Sequence, residues 1–205
     1  MPAGITYPSS WTDIANLALG RIGVGKINNV LQPDNENASY CNMFLGQAVE
    51  DVYGDFSWKG ATKRVQLEQL TETPVFGFAY FYQMPADWIR NPDREKEAER
   101  SNIDTGGADY TIEGDRLLTD ATTVFMAYIA RPDDVGKIRP LVRTAIALRL
   151  AFLLTSAITS AENLSNRIAG EYAAAMNSAI AADNLGRQEQ TQEKSTGVTW
   201  FDELR

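Results

Sequence analysis

The chain has 205 residues, 44% hydrophobic and 22% charged, with a formal net charge of -8 and a pI of about 4.6. Those values fit a globular protein with a sizeable core, and they oppose a surface that grips nucleic acid through its phosphates, which calls for a basic excess. A single cysteine and no histidine exclude an intrachain disulfide, a His/Cys zinc cluster and any triad built on histidine, and leave carboxylate chemistry open.

The opening MPAGITYPSS has neither a basic start nor an apolar signal core, so no secretory or targeting segment is expected there. Pro2 and Pro8 make residues 1–9 extended. Ser9 and Ser10 offer a helix N-cap with Asp13 in the first turn. Ile14, Leu17, Ala18 and Ile22 repeat at helical spacing, and Gly20, Gly23 and Gly25 weaken and then end that helix. A second helix is predicted from Asp34 or Asn35. Ala38, Cys41, Phe44, Leu45, Ala48, Val49, Val52, Tyr53 and Phe56 form its apolar stripe, and Asn42, Gln47, Glu50 and Asp51 face away. Cys41 on that stripe reads as a small buried hydrophobe.

The period then changes. Val65, Leu67 and Leu70 suggest a short strand or hairpin edge. Phe76, Phe78, Tyr80 and Tyr82 alternate with other residues as a strand whose aromatic face belongs to a core, ended by Met84-Pro85. The alternating charges in 91–101 read as a solvated loop. A hairpin is predicted around Glu113-Gly114-Asp115, a strand over 123–130 and a turn over 131–134. A third helix runs from about Pro140 to Ile158, with Leu141, Ala145, Leu148, Ala151, Phe152 and Thr155 as apolar positions. Arg149 interrupts this stretch and Arg143 precedes it, which reads against a membrane span of roughly 20 apolar residues. A fourth helix runs from Ala161 to about Leu185 on a stripe of Ala161, Leu164, Ile168, Tyr172, Ala175 and Ala179, with Gly186 as its stop. The polar residues that follow have no apolar period.

The expected class is α+β: an antiparallel helical bundle of about four helices, a β-rich antiparallel subdomain inserted in it, and an extended C-terminal tail. The expected divisions are 1–57 and 136–186 for the bundle, 58–135 for the insertion and 187–205 for the tail. Trp200, Phe201, Leu204 and Arg205 lie beyond a polar linker with little local core to join, which is the pattern of a docking peptide. Glu50-Asp51 and Asp133-Asp134 read as solvated or capping acids, because adjacent helical residues point apart and turns favour aspartate. The glycines at 20, 23 and 25 do not make a nucleotide loop, since Lys26 is followed by Ile27. No cofactor or metal is expected.

Several short runs occur in a suggestive order: Tyr7-Pro8-Ser9-Ser10, Ala18-Leu19-Gly20-Arg21-Ile22-Gly23, Asn37-Ala38 with Cys41, then Trp58, Ala61 and Arg64. After them come Phe78-Ala79-Tyr80, Met84-Pro85-Ala86-Asp87-Trp88-Ile89-Arg90, Glu113-Gly114, Leu118-Thr119-Asp120 and a late tryptophan followed by arginine. Together they resemble the tail tubular protein A family of podovirus head-to-tail adaptors, or connectors. The charged run 91–101 and the closing WFDELR depart from that pattern. The resemblance implies a viral structural protein and not an enzyme. It implies a homo-oligomeric, dodecameric ring of about twelve copies closed by rotation. The ring would lie at the head–tail junction of a bacteriophage virion assembled in the host bacterial cytoplasm. The expected partners are the portal protein, bound through Trp200, Phe201, Leu204 and Arg205, and a downstream tail or nozzle protein or a tail fibre. The loop of Asp93, Arg94, Glu95, Lys96 and Arg100 is the candidate contact for the latter. DNA would pass through the channel during ejection without specific binding, along acidic walls that repel it, and no membrane is involved. The alternative is a helical DNA-binding or packaging factor of a phage.

Overall fold

A computed structural model describes residues 8–92, 102–159 and 162–196. The protein is α+β, with four α-helices and antiparallel sheets among the described residues. Its contacts divide it into two compact units, one of residues 1–52 with 134–205, the other of residues 53–133.

The first unit opens with α1 (Trp11–Ile22). Ser10 caps it reciprocally with Asp13: the Asp13 backbone N–H donates to Ser10 Oγ at 3.1 Å, and the Ser10 N–H donates to the Asp13 carboxylate at 3.0 Å. This satisfies two donors that a helix start otherwise leaves bare. Gly23 ends the helix in the left-handed region at φ 75°, where a side chain would be strained. The next segment has no regular structure, yet side chains hold it. Asn16 accepts from the Ile27 N–H at 2.8 Å and donates to its carbonyl at 3.1 Å, and Asn42 donates to the Val30 carbonyl at 2.9 Å. Asn42 therefore braces a loop instead of simply facing water.

α2 (Glu36–Asp55) begins after Asn35, whose side-chain oxygen accepts from the Ala38 N–H at 2.9 Å. Cys41 is fully buried on its stripe, with Ala38, Leu45, Ala48, Val49 and Val52. α3 (Pro140–Leu154) starts with proline in its first turn, where the missing N–H is harmless. It packs along α1 and α4 (Glu162–Thr196), and Ile146, Leu150 and Leu154 are fully buried. By length and composition, the 20-residue span 140–159 does reach the membrane-spanning range, with mean hydropathy 1.7 in an 18-residue window, contrary to the sequence expectation. Half of that stretch is buried inside the protein, as a core helix requires. A π-helical turn, Thr155–Thr159, follows α3. Two threonines brace it: Thr155 Oγ1 donates to the Ala151 carbonyl at 2.8 Å and Thr159 Oγ1 to the Thr155 carbonyl at 3.0 Å.

α4 departs from expectation at its end. Gly186 does not stop it, and the helix continues to Thr196. The residues after Gly186 include glutamine, glutamate, arginine and lysine, all good helix formers, so the cost of one glycine is outweighed. Its buried side includes Ile168, Met176 and Ala179, and also Asp183, which is 1% exposed and lies 3.0 Å from the Arg139 guanidinium.

Among the described residues, the second unit contains seven strands. In the first sheet β7 (Phe125–Ala130) is central: β1 (Thr62–Gln66) pairs on one side, β3 (Trp88–Arg90) and β4 (Ile103–Asp104) on the other, all antiparallel. The second sheet has the order β2 (Tyr80–Gln83), β6 (Arg116–Thr119), β5 (Tyr110–Glu113). Gly114, at φ 63°, starts the tight β5–β6 turn. Leu67, Tyr82, Met84, Ile103, Leu117, Met126 and Tyr128 build one apolar core.

The predicted aromatic strand is largely absent. Only Tyr80–Gln83 is strand, and of the four alternating aromatics only Tyr82 is buried. Pro74 has no N–H for a ladder and Gly77 adopts φ 89°, so the chain before Tyr80 forms a loop. Phe76 is 87% exposed on it.

Candidate functional site

Two of the residue sets expected to make contacts, Trp200, Phe201, Leu204 and Arg205 and the run Asp93, Arg94, Glu95, Lys96 and Arg100, lie outside the described residues. Several other singled-out residues have structural partners. Asp51 receives a hydrogen bond from Arg149 Nε at 2.7 Å. Asp134 accepts from the Gly136 N–H at 2.8 Å, capping a short 3-10 turn. Arg21 pairs with Glu171 at 3.3 Å, and Arg167 reaches the same carboxylate at 2.8 Å. Cys41 is sealed in the core, and burial pushes its thiol up to about 11. Among the described residues, no group of three or more carboxylates or cysteines is placed to hold a metal ion.

The second unit carries a polar cluster around Asp87. Asp87 sits in the turn between β2 and β3. Lys63 of β1 donates to its carboxylate at 2.6 Å, and the Tyr128 hydroxyl of β7 donates to its other oxygen at 2.8 Å. The Asp87 backbone carbonyl accepts from the Arg131 N–H at 2.7 Å. Burial alone would raise the Asp87 carboxyl, but the bonds from Lys63 and Tyr128 outweigh it and hold it below its ordinary value. The same bond raises Lys63. Burial, then the bond to Asp87, pushes Tyr128 up to about 12. Each group is thus held in the protonation state that keeps the others bonded. This arrangement ties the β2–β3 turn to β1 and β7 and uses both carboxylate oxygens in doing so.

Beside it lies an open groove of about 750 Å3. Val65, Leu67, Met84, Pro85, Ala86 and Trp88 supply its apolar lining, and Gln66, Glu68, Gln83 and Asp115 its polar groups. The same unit displays an apolar loop tip, Val75 and Phe76, which are 97% and 87% exposed. The loop is anchored at both ends. Glu72 pairs with Arg116 at 2.6 Å, and the Ala79 N–H donates to Asp120 Oδ1 at 2.8 Å. Val75 and Phe76 thus form an exposed apolar pair between two anchored flanks. Sequence periodicity missed it because the alternation of Phe76, Phe78, Tyr80 and Tyr82 imitates a buried strand. Pro74 and Gly77 were the contrary signals.

No protein-family model matches the chain, and no curated protein matches it.

Proposed function

We propose that the protein is a structural subunit of a phage head-to-tail adaptor ring, joining the portal to the tail and lining part of the DNA ejection channel. The observation that carries this reading is the chain's organisation. Helices from both sides of the sequence belong to one compact unit, and the strands form a second unit from one continuous stretch, 53–133. That division suits a ring component whose helices pack side by side while the strand unit meets another component.

In this reading α1–α4 form an antiparallel bundle that builds the ring wall. The resemblance motifs also fall at positions with local structural work: Ser10 caps α1, Gly23 ends it, Asp87 ties its turn to β1 and β7, and Gly114 turns the hairpin. The acidic balance, -8, favours a channel wall along which DNA slides over one that retains it. Trp200, Phe201, Leu204 and Arg205 are the proposed portal-docking residues. A peptide of this kind gains from being repeated around a ring, because many weak engagements act together.

A pull-down with the portal protein of the same virus tests the reading. The full chain is expected to be retained, and a Trp200→Ala/Phe201→Ala variant to be lost from the bound fraction. Micromolar binding of duplex DNA that weakens steeply with salt, without portal binding, would favour a packaging factor instead.

A further inference from the structure

We propose that Val75 and Phe76 of one copy seat in the apolar groove of a second copy, so that the strand unit carries both plug and socket of a contact between neighbouring chains. The proposal rests on the ring reading above and names a contact within it.

Three observations converge. The tip is apolar and extremely exposed, at 97% for Val75 and 87% for Phe76. It is presented rather than left loose, by the Glu72–Arg116 pair before it and the Ala79–Asp120 bond after it, which lowers the ordering cost of docking. The chain also carries an open groove of matching chemistry, with Val65, Leu67, Met84, Pro85 and Trp88 in its lining. The tip does not occupy the groove of its own chain, since it remains exposed.

The occupant follows from charge and from repetition. The groove includes the acids Glu68 and Asp115, which disfavour an acidic partner or a nucleic acid. The sequence Pro74-Val75-Phe76-Gly77-Phe78-Ala79 carries no charge and meets no repulsion. A head-to-tail contact needs two different complementary patches on every copy, and this chain has both. The contact is small. An aromatic side chain buries about 150–250 Å2, whereas a stable interface takes about 800 Å2 from each partner. Plug and socket alone therefore leave the free protein monomeric at low concentration, and the contact persists where neighbours are already held side by side.

Two variants of the full chain that each add one cysteine, Val75→Cys and Ala86→Cys, are mixed at high concentration and oxidised. Both positions are exposed, and the native Cys41 is fully buried and does not compete. The mixture is expected to give a cross-linked dimer that neither variant gives alone. Adding Phe76→Ala to the Val75→Cys copy is expected to lower the yield about tenfold with no change in the circular dichroism melt. No cross-link, a cross-link indifferent to Phe76→Ala, or an equal yield from Val75→Cys alone would overturn the proposal. The double variant, Val75→Cys/Ala86→Cys, separates this contact from the ring reading. A ladder of oligomers supports both. A product that stops at dimers keeps plug and socket but contradicts a ring. Rings seen by electron microscopy without the cross-link keep the ring and sink the contact.

Discussion

Arg149 and Asp51 form an ion pair 2.7 Å long between α3 and α2, and the Arg149 guanidinium also lies over the rings of Phe152, at 5.4 Å, and Tyr172, at 5.7 Å. The charge that interrupts the most apolar stretch of the sequence is therefore a brace between three helices. Its planar fork pairs with a carboxylate while its faces meet aromatic rings, a combination that lysine does not reproduce.

Breaking that brace should be felt. Asp51→Ala and Arg149→Met are each expected to destabilise the protein by about 1–2 kcal/mol, because both side chains are partly buried and one partner is left behind. Arg149→Lys should recover only part of the loss. Urea unfolding followed by tyrosine and tryptophan fluorescence, in a double-mutant cycle, measures the coupling. Additive single effects would show that the pair contributes nothing of its own.

The start of α1 makes an acid-sensitive prediction. Ser10→Ala should cost about 1 kcal/mol. The bond from the Ser9 backbone outweighs a smaller opposing effect of burial and, with the Ser10 bonds, lowers the Asp13 carboxyl. Asp87 is lowered as well. For a group with a depressed folded value, the stabilisation is present above the unfolded pKa and fades as pH falls through the folded one. Stability should therefore drop below about pH 4. The drop should be smaller in Asp13→Asn, as read by denaturant midpoints across pH.

At alkaline pH the sign reverses. Burial pushes Cys41 up to about 11 and Tyr53 up to about 12, and Tyr128 also stands at about 12. Lys63 is raised too. The unfolded chain then releases protons before the folded one, so stability is lost between about pH 9 and pH 12. Native Cys41 should also resist a thiol reagent at pH 8 and react at once in denaturant. Rapid native labelling would contradict its sealed position.

In the strand unit, Tyr128→Phe removes one hydrogen bond to Asp87 and should cost about 1 kcal/mol. Asp87→Ala should cost more, since it strips partners from both Lys63 and Tyr128. Thermal melts of the two variants check the order. Equal losses would mean that the Lys63 bond adds nothing.

The parts of the fold that were legible from sequence are those with local causes. The Ser10–Asp13 cap, the Gly23 stop, the Cys41 stripe and the Gly114 turn each follow from a few neighbouring residues. The parts that were not legible depend on distant partners. Nothing near Asn16 or Asn42 indicates that they clamp residues 27 and 30, and nothing near Asp183 indicates a buried carboxylate against Arg139. β3 and β4 are too short to show a period. The run from Phe76 to Tyr82 had the alternation of a strand, and Pro74 with Gly77 overrode it for the first half. For the candidate site, the apolar loop tip was hidden inside that mistaken strand. The groove joins residues from β1, the β2–β3 turn and the β5–β6 turn, and no single stretch of sequence encodes it.

The central claim is tested most directly by mixing the protein with the portal protein of the same virus, with and without residues 195–205, and imaging the product by electron microscopy. The adaptor reading predicts a ring seated against the portal for the full chain and its loss on truncation. A ring that survives truncation would move docking away from Trp200 and Phe201. No ring with either chain would contradict the adaptor reading itself.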